Sequence, residues 1–275
     1  MGAEAARVVV VWPAEAIWRE VAPFLPGFTV EVLPVIDSTN SELMRRAKAG
    51  QRDPALLVAE RQTAGRGRLG RNWLGSHPTA IDRAVPRSGE ACMVGSLTFS
   101  LALPLAPQDW LGLSLAVGVS VARSLHPELR LKWPNDIWLH DRKLAGILIE
   151  TTSFGESRFV VIGIGINILP RNGEGLSTPP AWLRELLPEI DAPAVLLRLV
   201  PALVQALLLF EAQGFEPFQA AFKIRDVLRG RAVTLSDGST GKAAGVDGTG
   251  ALLVHTASGM KAITSAEVSV RPTGA

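Results

Sequence analysis

The sequence predicts an α+β fold: a mixed, largely antiparallel sheet flanked by helices, followed by a small β-barrel. Four strand-like runs between residues 129 and 168 follow one another across short turns, which is typical of hairpin-linked strands. Apolar periodicity predicts two helices over residues 193–213 and 216–225. After Gly230, short strands are separated by Asp-Gly and Ser-Gly turn signals, a pattern that favours a small barrel.

The N-terminal part of the chain alternates short strands and helices. A Val-rich strand near residues 7–11 and a helix over residues 15–24 are predicted first. Two further strands are expected, over residues 29–33 and 55–59. Between them Thr39 and Glu42 have the spacing of a capping box, which predicts a helix that Gly50 closes.

The central part begins with residues 74–94, a Gly- and Pro-rich stretch that we interpret as an extended loop. Residues 95–103 alternate small or polar with large apolar side chains, which predicts a strand with one buried face. An apolar helix is expected over residues 110–125, with glycines that allow close packing. The strands that follow are predicted at residues 129–133, 137–140, 144–151 and 159–168, and later at residues 232–235, 241–246, 251–255 and 260–263.

The amino-acid composition indicates which broad class of protein this chain belongs to. The 275 residues have 28 basic and 26 acidic side chains and a hydrophobic content of 47%, which indicates a globular chain with no polybasic character. We predict a large domain at residues 1–228 and a barrel at residues 229–275. The apolar stretch 194–210 contains Arg198, so we interpret it as a buried helix and expect no membrane span.

Cysteine and histidine usage argues against disulfides and metal sites. Cys92 has no partner cysteine, and the four histidines lack any recognisable ligand spacing. We therefore predict a cytoplasmic location and no protein-borne metal site.

An arginine- and glycine-rich run at residues 60–73 stands out, and we call its residues 65–73 the arginine loop. Gly65, Gly67 and Gly70 allow tight folding, while three arginines supply permanent positive charge, so we predict an anion-binding loop after a strand. Other interpretations are a dinucleotide fingerprint, a nucleic-acid patch and a plain surface connection. The first lacks an immediate helix and an acid at the right distance.

A second charged group is spread over residues 132–143. If residues 137–140 and 144–149 form a hairpin, Asp136 lies near one strand end and Lys143 near the turn. A lysine can stabilise developing negative charge, and an aspartate can accept a proton from an amine. The alternative is two ordinary exposed charges.

Taken together, these motifs resemble one family. VIDSTN at residues 35–40, ERQTAGRGRLGRNW at 60–73, KWPNDIW at 132–138, RKLAGILIE at 142–150 and IGIGIN at 162–167 occur in the order and spacing of biotin protein ligases. The resemblance implies a catalytic domain like that of class II synthetases and a C-terminal SH3-like barrel. It also implies that biotin and ATP with Mg²⁺ form biotinoyl-adenylate, and that a lysine of a biotin carboxyl carrier domain then takes the biotin.

The resemblance assigns roles residue by residue. Arg68, Lys143 and Asp136 match the family's catalytic positions, and Asp136 matches the acid proposed to help deprotonate the acceptor lysine. Trp73 resembles the aromatic residue near the adenine. The residues expected to bind biotin or the adenylate are Ser38, Thr39, Asn40, Gln62, Gly65, Arg66, Gly67, Arg68, Trp73, Lys132, Asn135, Lys143, Gly163, Gly165 and Asn167.

The chain departs from the family pattern at two places. Residues 74–94 replace a shorter turn, which puts pocket-wall roles for Ser96 and Leu97 in question. An N-terminal DNA-binding domain is also missing from this sequence, so we expect no specific DNA partner, and a homodimer remains open. Two other functions stay open at this point: a lipoate or octanoyl ligase on a similar fold, and a nucleic-acid-binding regulator that uses the arginine loop.

Overall fold

The computed structural model describes residues 10–73, 75, 94–154, 157–176, 178–235, 238–264 and 270–272. The five α-helices of this part of the chain are α1 (Ala14–Val21), α2 (Thr39–Lys48), α3 (Leu113–Leu125), α4 (Ala192–Gln213) and α5 (Glu216–Arg225). The catalytic region has strands β1 (Thr29–Ile36), β2 (Ala55–Gln62), β3 (Ser96–Pro104), β4 (Arg130–Lys132), β5 (Asp136–Leu139), β6 (Arg142–Phe154) and β7 (Ser157–Asn167). The C-terminal strands are β8 (Ala232–Leu235), β9 (Thr240–Val246), β10 (Leu252–Thr256), β11 (Gly259–Ile263) and β12 (Val270–Pro272).

The first seven strands form one sheet in the order β1-β2-β3-β7-β6-β5-β4. Strands β1 and β2 are parallel, and every other neighbouring pair in this sheet is antiparallel. The predicted mixed, largely antiparallel sheet is therefore confirmed. The expected hairpin also forms, with Asp136 opposite Gly146 and Lys143 opposite Trp138.

Helices cover both faces of this sheet. Leu56 and Val58 of β2 belong to the main core, which also contains buried side chains of α1, α3 and α4. Leu57 points to the other face, where it packs with Leu43 and Ala47 of α2. Successive strand residues alternate between faces, so one strand contributes to both cores.

Helix α4 is long and apolar enough to cross a membrane by length and composition. Its side chains Leu196, Leu199, Leu203 and Leu207 are nevertheless buried in the main core. This burial agrees with the prediction of a buried helix.

The C-terminal strands form a second, antiparallel sheet in the order β11-β10-β9-β8-β12. Sequence patterning missed β12, which has only three residues. The sheet contacts the catalytic region through Trp133, whose indole N–H donates to the carbonyl oxygen of Gly250 at 3.2 Å. Gly112 packs against Gly250, since a Cβ on Gly250 would lie 2.7 Å from the Gly112 Cα. The domain boundary after residue 228 stays a prediction.

Four predictions of local structure need correction: the first strand, the start of α3, the burial of β3 and the cap of α2. Val10 and Val11 are not in a strand, and residues 7–9 lie outside the described part of the chain. Helix α3 begins at Leu113, three residues later than expected. Strand β3 is buried on both faces along residues 96–103, because α2 covers the side that carries its small polar residues. The predicted loop at residues 74–94 is outside the described residues except at positions 75 and 94.

The fourth correction concerns the start of α2. Its N-cap is Ser38, whose hydroxyl accepts from the backbone N–H of Ser41 at 3.4 Å, so Thr39 is not the capping residue. The capping-box prediction was therefore wrong. Because Thr39 is released from capping, its hydroxyl is available for contacts with neighbouring strands.

Candidate active site

A cavity of about 450 Å³ opens between the N-terminus of α2, the arginine loop and the β5–β6 hairpin. Strand β7 forms its floor, and residues 171–180 border it on the remaining side. All the site residues predicted from the sequence line this cavity except Gly65. The sequence motifs, which lie between residues 35 and 167, thus meet in one place.

At one end of the cavity lies a buried polar cluster formed by Thr39, Asn40, Gln62 and Ser100. The backbone N–H of Thr39 donates to Gln62 Oε1 at 2.7 Å. The Ser100 hydroxyl donates to Asn40 Oδ1 at 2.6 Å and therefore accepts from the Thr39 hydroxyl, 2.7 Å away. Since each group fixes its neighbour, the cluster is pre-organised next to the positive end of a helix.

Two glycines of β7 allow side chains to approach the sheet closely. A Cβ on Gly163 would lie 2.2 Å from Asn40 Oδ1, and one on Gly165 would lie 2.3 Å from Trp73 Cε2. Both distances are shorter than any contact between non-bonded atoms allows. The glycine spacing in IGIGIN therefore makes room for Asn40 and for the indole ring.

The arginine loop folds back on itself over the cavity. The Gly67 N–H donates to the Arg71 carbonyl at 2.7 Å, and the Trp73 N–H donates to the Gly65 carbonyl at 2.8 Å. A Cβ on Gly65 would lie 2.4 Å from the Trp73 carbonyl oxygen. Gly65 therefore packs against the backbone at the end of the loop, and it does not line the cavity.

Arg68 reaches from this loop into the cavity. Its Nη1 donates to Asn135 Oδ1 at 3.1 Å, whereas its Nη2 is buried and has no hydrogen-bond partner. Burial lowers the pKa of the Arg68 guanidinium, and the negative charge of Asp136 partly offsets this effect. An arginine stays protonated under such conditions, so the cavity contains a permanent cation with an unused donor.

The charged pair predicted on the hairpin is formed. Lys143 Nζ lies 2.7 Å from Asp136 Oδ1, and their side chains are 34% and 16% exposed. This partial burial argues against two ordinary surface charges. Lys132 faces Asp136 across the β4–β5 pair, and its ammonium group lies 5.1 Å from the centre of the Trp138 ring.

Trp73 closes the cavity near β7. Its indole N–H is buried and has no hydrogen-bond partner, and the Arg171 guanidinium lies 6.0 Å from its ring centre. The Asn167 side chain donates to the carbonyl oxygen of Ala181 at 2.9 Å and accepts from Arg171 at 3.4 Å. Asn167 thereby ties the end of β7 to the segment that borders the cavity.

Two family descriptions match this chain: "Biotin protein ligase C terminal domain" over residues 225–271, and "Biotin/lipoate A/B protein ligase family" over residues 86–167. The bifunctional ligase/repressor BirA of Escherichia coli K12 is 35% identical over 92% of this chain and 77% of its own length. The biotin–[acetyl-CoA-carboxylase] ligase of Paracoccus denitrificans is 33% identical over 84% of this chain and 96% of its own. This chain belongs to the biotin protein ligase family.

The fold agrees with this membership. A biotin protein ligase from Aquifex aeolicus, solved in complex with biotin and ATP, superposes with a TM-score of 0.70 and 30% identity, over 89% of this chain and 99% of that one. The chain is therefore a biotin ligase, and the predicted family and fold are confirmed. The individual roles given to the site residues stay predictions.

Several cavity residues of this biotin protein ligase escaped sequence analysis. Thr98 and Phe99 line the cavity in place of Ser96 and Leu97, the wall positions that the resemblance had put in question. Arg171 was also missed, and so was Glu150, which does not line the cavity but binds the cavity residues Arg66 and Asn40. A charge on a strand or in a loop looks solvated in sequence. A polar residue within an otherwise apolar strand, such as Ser100, is the one signal that could have indicated the buried cluster.

We also asked whether the ligase could hold a metal ion with its own side chains. Within residues 10–272, apart from the stretches left undescribed, no group of three or more His, Cys, Asp or Glu side chains is placed to do so. Six arginine and lysine side chains line the cavity against two aspartates, Asp136 and Asp141, and this excess of positive charge suits an anion.

The close approach at Gly163 leads to a stability prediction. Gly163→Ala should lower the free energy of unfolding by about 1–3 kcal/mol, because the new methyl group must displace the buried amide of Asn40. Urea denaturation measures the effect. Gly248→Ala is the control, since a Cβ there meets no atom within 4 Å. Equal stability of the two variants would contradict the packing described for Gly163.

Proposed function

We propose that this ligase forms biotinoyl-5′-AMP from biotin and MgATP and then transfers biotin to a lysine of a biotin carboxyl carrier domain. One observation carries the proposal: a single cavity joins a buried polar cluster to the cations Arg68, Lys132 and Lys143. The ligands printed for the Aquifex aeolicus enzyme, biotin and ATP, and the acetyl-CoA-carboxylase in the name of the Paracoccus denitrificans relative support it.

The polar cluster suits the head group of biotin. The ureido ring of biotin has two N–H donors and one carbonyl acceptor, and Ser38, Thr39, Asn40 and Gln62 place hydroxyl and amide groups around one end of the cavity. Phe99 and Ile164 provide apolar lining for the aliphatic chain of biotin. The biotin carboxylate then extends toward the charged end.

The first step brings two anions together. A carboxylate oxygen of biotin attacks the α-phosphorus of ATP, the bond to the bridging oxygen breaks, and pyrophosphate leaves. The half-buried guanidinium of Arg68 and the ammonium of Lys143 reduce the repulsion between carboxylate and phosphate, and both are held in place at the cavity by neighbouring side chains. Mg²⁺ contributes charge neutralisation on the triphosphate, to which it binds.

The second step needs a neutral amine. The acceptor lysine has an ordinary pKa of about 10.4, so it is mostly protonated near neutral pH. Asp136 lies at the cavity and can take one proton from the incoming ammonium group. The amine then attacks the carbonyl carbon of the mixed anhydride, an amide bond forms and AMP leaves.

Incubation of the purified enzyme with ATP, Mg²⁺, labelled biotin and a carrier domain tests this proposal. We expect label on one lysine of the carrier and none on a carrier in which that lysine is replaced by arginine. An excess of lipoate should not reduce labelling. Labelling that lipoate abolishes, with lipoate itself attached to the carrier, would indicate a lipoate ligase instead.

A further inference from the structure

Glu150 on β6 connects the arginine loop to the buried polar cluster. Its carboxylate accepts from Arg66 Nη2 at 2.7 Å and from Arg66 Nη1 at 3.2 Å. The Asn40 side chain donates to the same carboxylate at 3.1 Å. One carboxylate thus holds residues from the loop and from α2, which lie 84 and 110 positions away in the sequence.

Arg66 and Arg68, two of the loop arginines that line the cavity, differ in how their nitrogens are bonded. Both terminal nitrogens of Arg66 are occupied, since Nη1 also donates to the Ser41 hydroxyl at 3.2 Å. Arg68 retains a buried nitrogen with no partner. In this state of the protein Arg66 therefore attaches the loop to the body of the domain, while Arg68 is left to meet an anion.

This pair differs from an ordinary surface ion pair. Exposed pairs contribute little because water screens them and two flexible side chains must be ordered. The Arg66 side chain is 46% exposed, but that of Glu150 is only 22% exposed, the contact between them is bidentate, and Asn40 also binds the carboxylate. Asn40 is in turn fixed by the Ser100 hydroxyl and by the Leu148 carbonyl at 3.3 Å.

We propose that Glu150 is a positioning residue that holds the arginine loop over the cavity through Arg66 and thereby sets the affinity for biotin. Glu150 itself touches no reacting atom. The effect on biotin rests on the proposed function, whereas the effect on the loop does not. A loop already held in place loses less conformational entropy when biotin binds, which raises affinity.

Limited trypsin digestion of the free protein tests the loop directly. Glu150→Gln keeps the shape of the side chain and removes its charge, which weakens the pairing with Arg66 and loosens the arginine loop. Cleavage after Arg66, Arg68 and Arg71 should therefore accelerate about fivefold. Mass spectrometry identifies these cuts. Glu42→Gln is the matched control: Glu42 is 23% exposed and contacts Arg45 at 2.7 Å and Arg46 at 2.8 Å, outside the cavity. The arginine loop of the Glu42→Gln variant should be cleaved at the wild-type rate.

Comparing the single and double variants of Arg66 and Glu150 distinguishes a specific effect on the loop from a general loss of structure. Arg66→Ala should accelerate cleavage after Arg68 and Arg71, and adding Glu150→Gln to it should cause no further increase. Fully multiplicative effects of the two changes would overturn the proposal, as would unchanged loop cleavage in Glu150→Gln. Both outcomes can be read even if the protein makes no biotinoyl-adenylate.

Kinetics supply the link to the substrate. In the adenylation step Glu150→Gln should raise the KM for biotin about fivefold and leave kcat within about twofold, because the reacting groups are unchanged. Glu42→Gln should alter neither constant. A fall in kcat with an unchanged KM would contradict a positioning role and place Glu150 in the chemistry.

Discussion

Replacing Arg68 with alanine should slow formation of biotinoyl-adenylate by about 100- to 1000-fold, which is the typical cost of removing one pre-positioned electrostatic donor. The guanidinium reaches into the cavity and its buried Nη2 has no hydrogen-bond partner, so Nη2 can donate to a substrate anion. Pyrophosphate release in a single turnover with biotin and MgATP measures the rate.

The matched control for this change is Arg61→Ala. Arg61 lies on β2 just before the arginine loop, is exposed, and does not line the cavity. Its loss should change the adenylation rate by less than about twofold, as expected for a surface site. An Arg68→Ala enzyme that forms adenylate as fast as the Arg61→Ala enzyme would remove Arg68 from the site.

Asp136→Asn should slow transfer of biotin to the carrier by about 100-fold or more, the range in which general bases contribute. Asparagine keeps an oxygen that can accept from Lys143, which lies 2.7 Å from the carboxylate, but it cannot take up a proton. Transfer is measured in a single turnover from preformed biotinoyl-adenylate, so that adenylation does not contribute.

The pH dependence of transfer separates proton acceptance from a structural role. Without the carboxylate, transfer should recover as pH rises toward the ordinary lysine pKa of about 10.4, because solvent then deprotonates the acceptor. Asp109→Asn is the control, an exposed acid that does not line the cavity. A defect in Asp136→Asn that stays constant with pH would contradict the assigned role.

Local patterns predicted most of the fold because turns and hydrophobic periodicity are encoded nearby in sequence. The β5–β6 hairpin is an example, since its strands are separated by only two residues. Strand β3 shows where such reasoning fails. Its alternation of hydroxyl and apolar side chains suggested one solvated face, yet the hydroxyls of Thr98 and Ser100 bond to Ala59 and Asn40 inside the protein.

The motifs also predicted a set of site residues that all line the cavity except Gly65, whereas the contacts between these residues depend on tertiary structure. Thr39 has the spacing of a helix cap, but Ser38 takes that position and leaves Thr39 to bond with Ser100, which is 61 positions away. Glu150 resembles a solvated strand charge until Arg66 is placed beside it. Pairings at such separations leave no periodic signal in a single sequence.

Biotin-dependent exchange of labelled pyrophosphate into ATP tests the central claim most directly, because it reports the adenylation step without any carrier. We predict exchange that requires both biotin and Mg²⁺, is not supported by lipoate, and falls about 100-fold or more in Arg68→Ala. Absence of exchange in the folded wild-type enzyme, or exchange that proceeds equally well without biotin, would contradict the assignment of this cavity as the site of biotinoyl-adenylate formation.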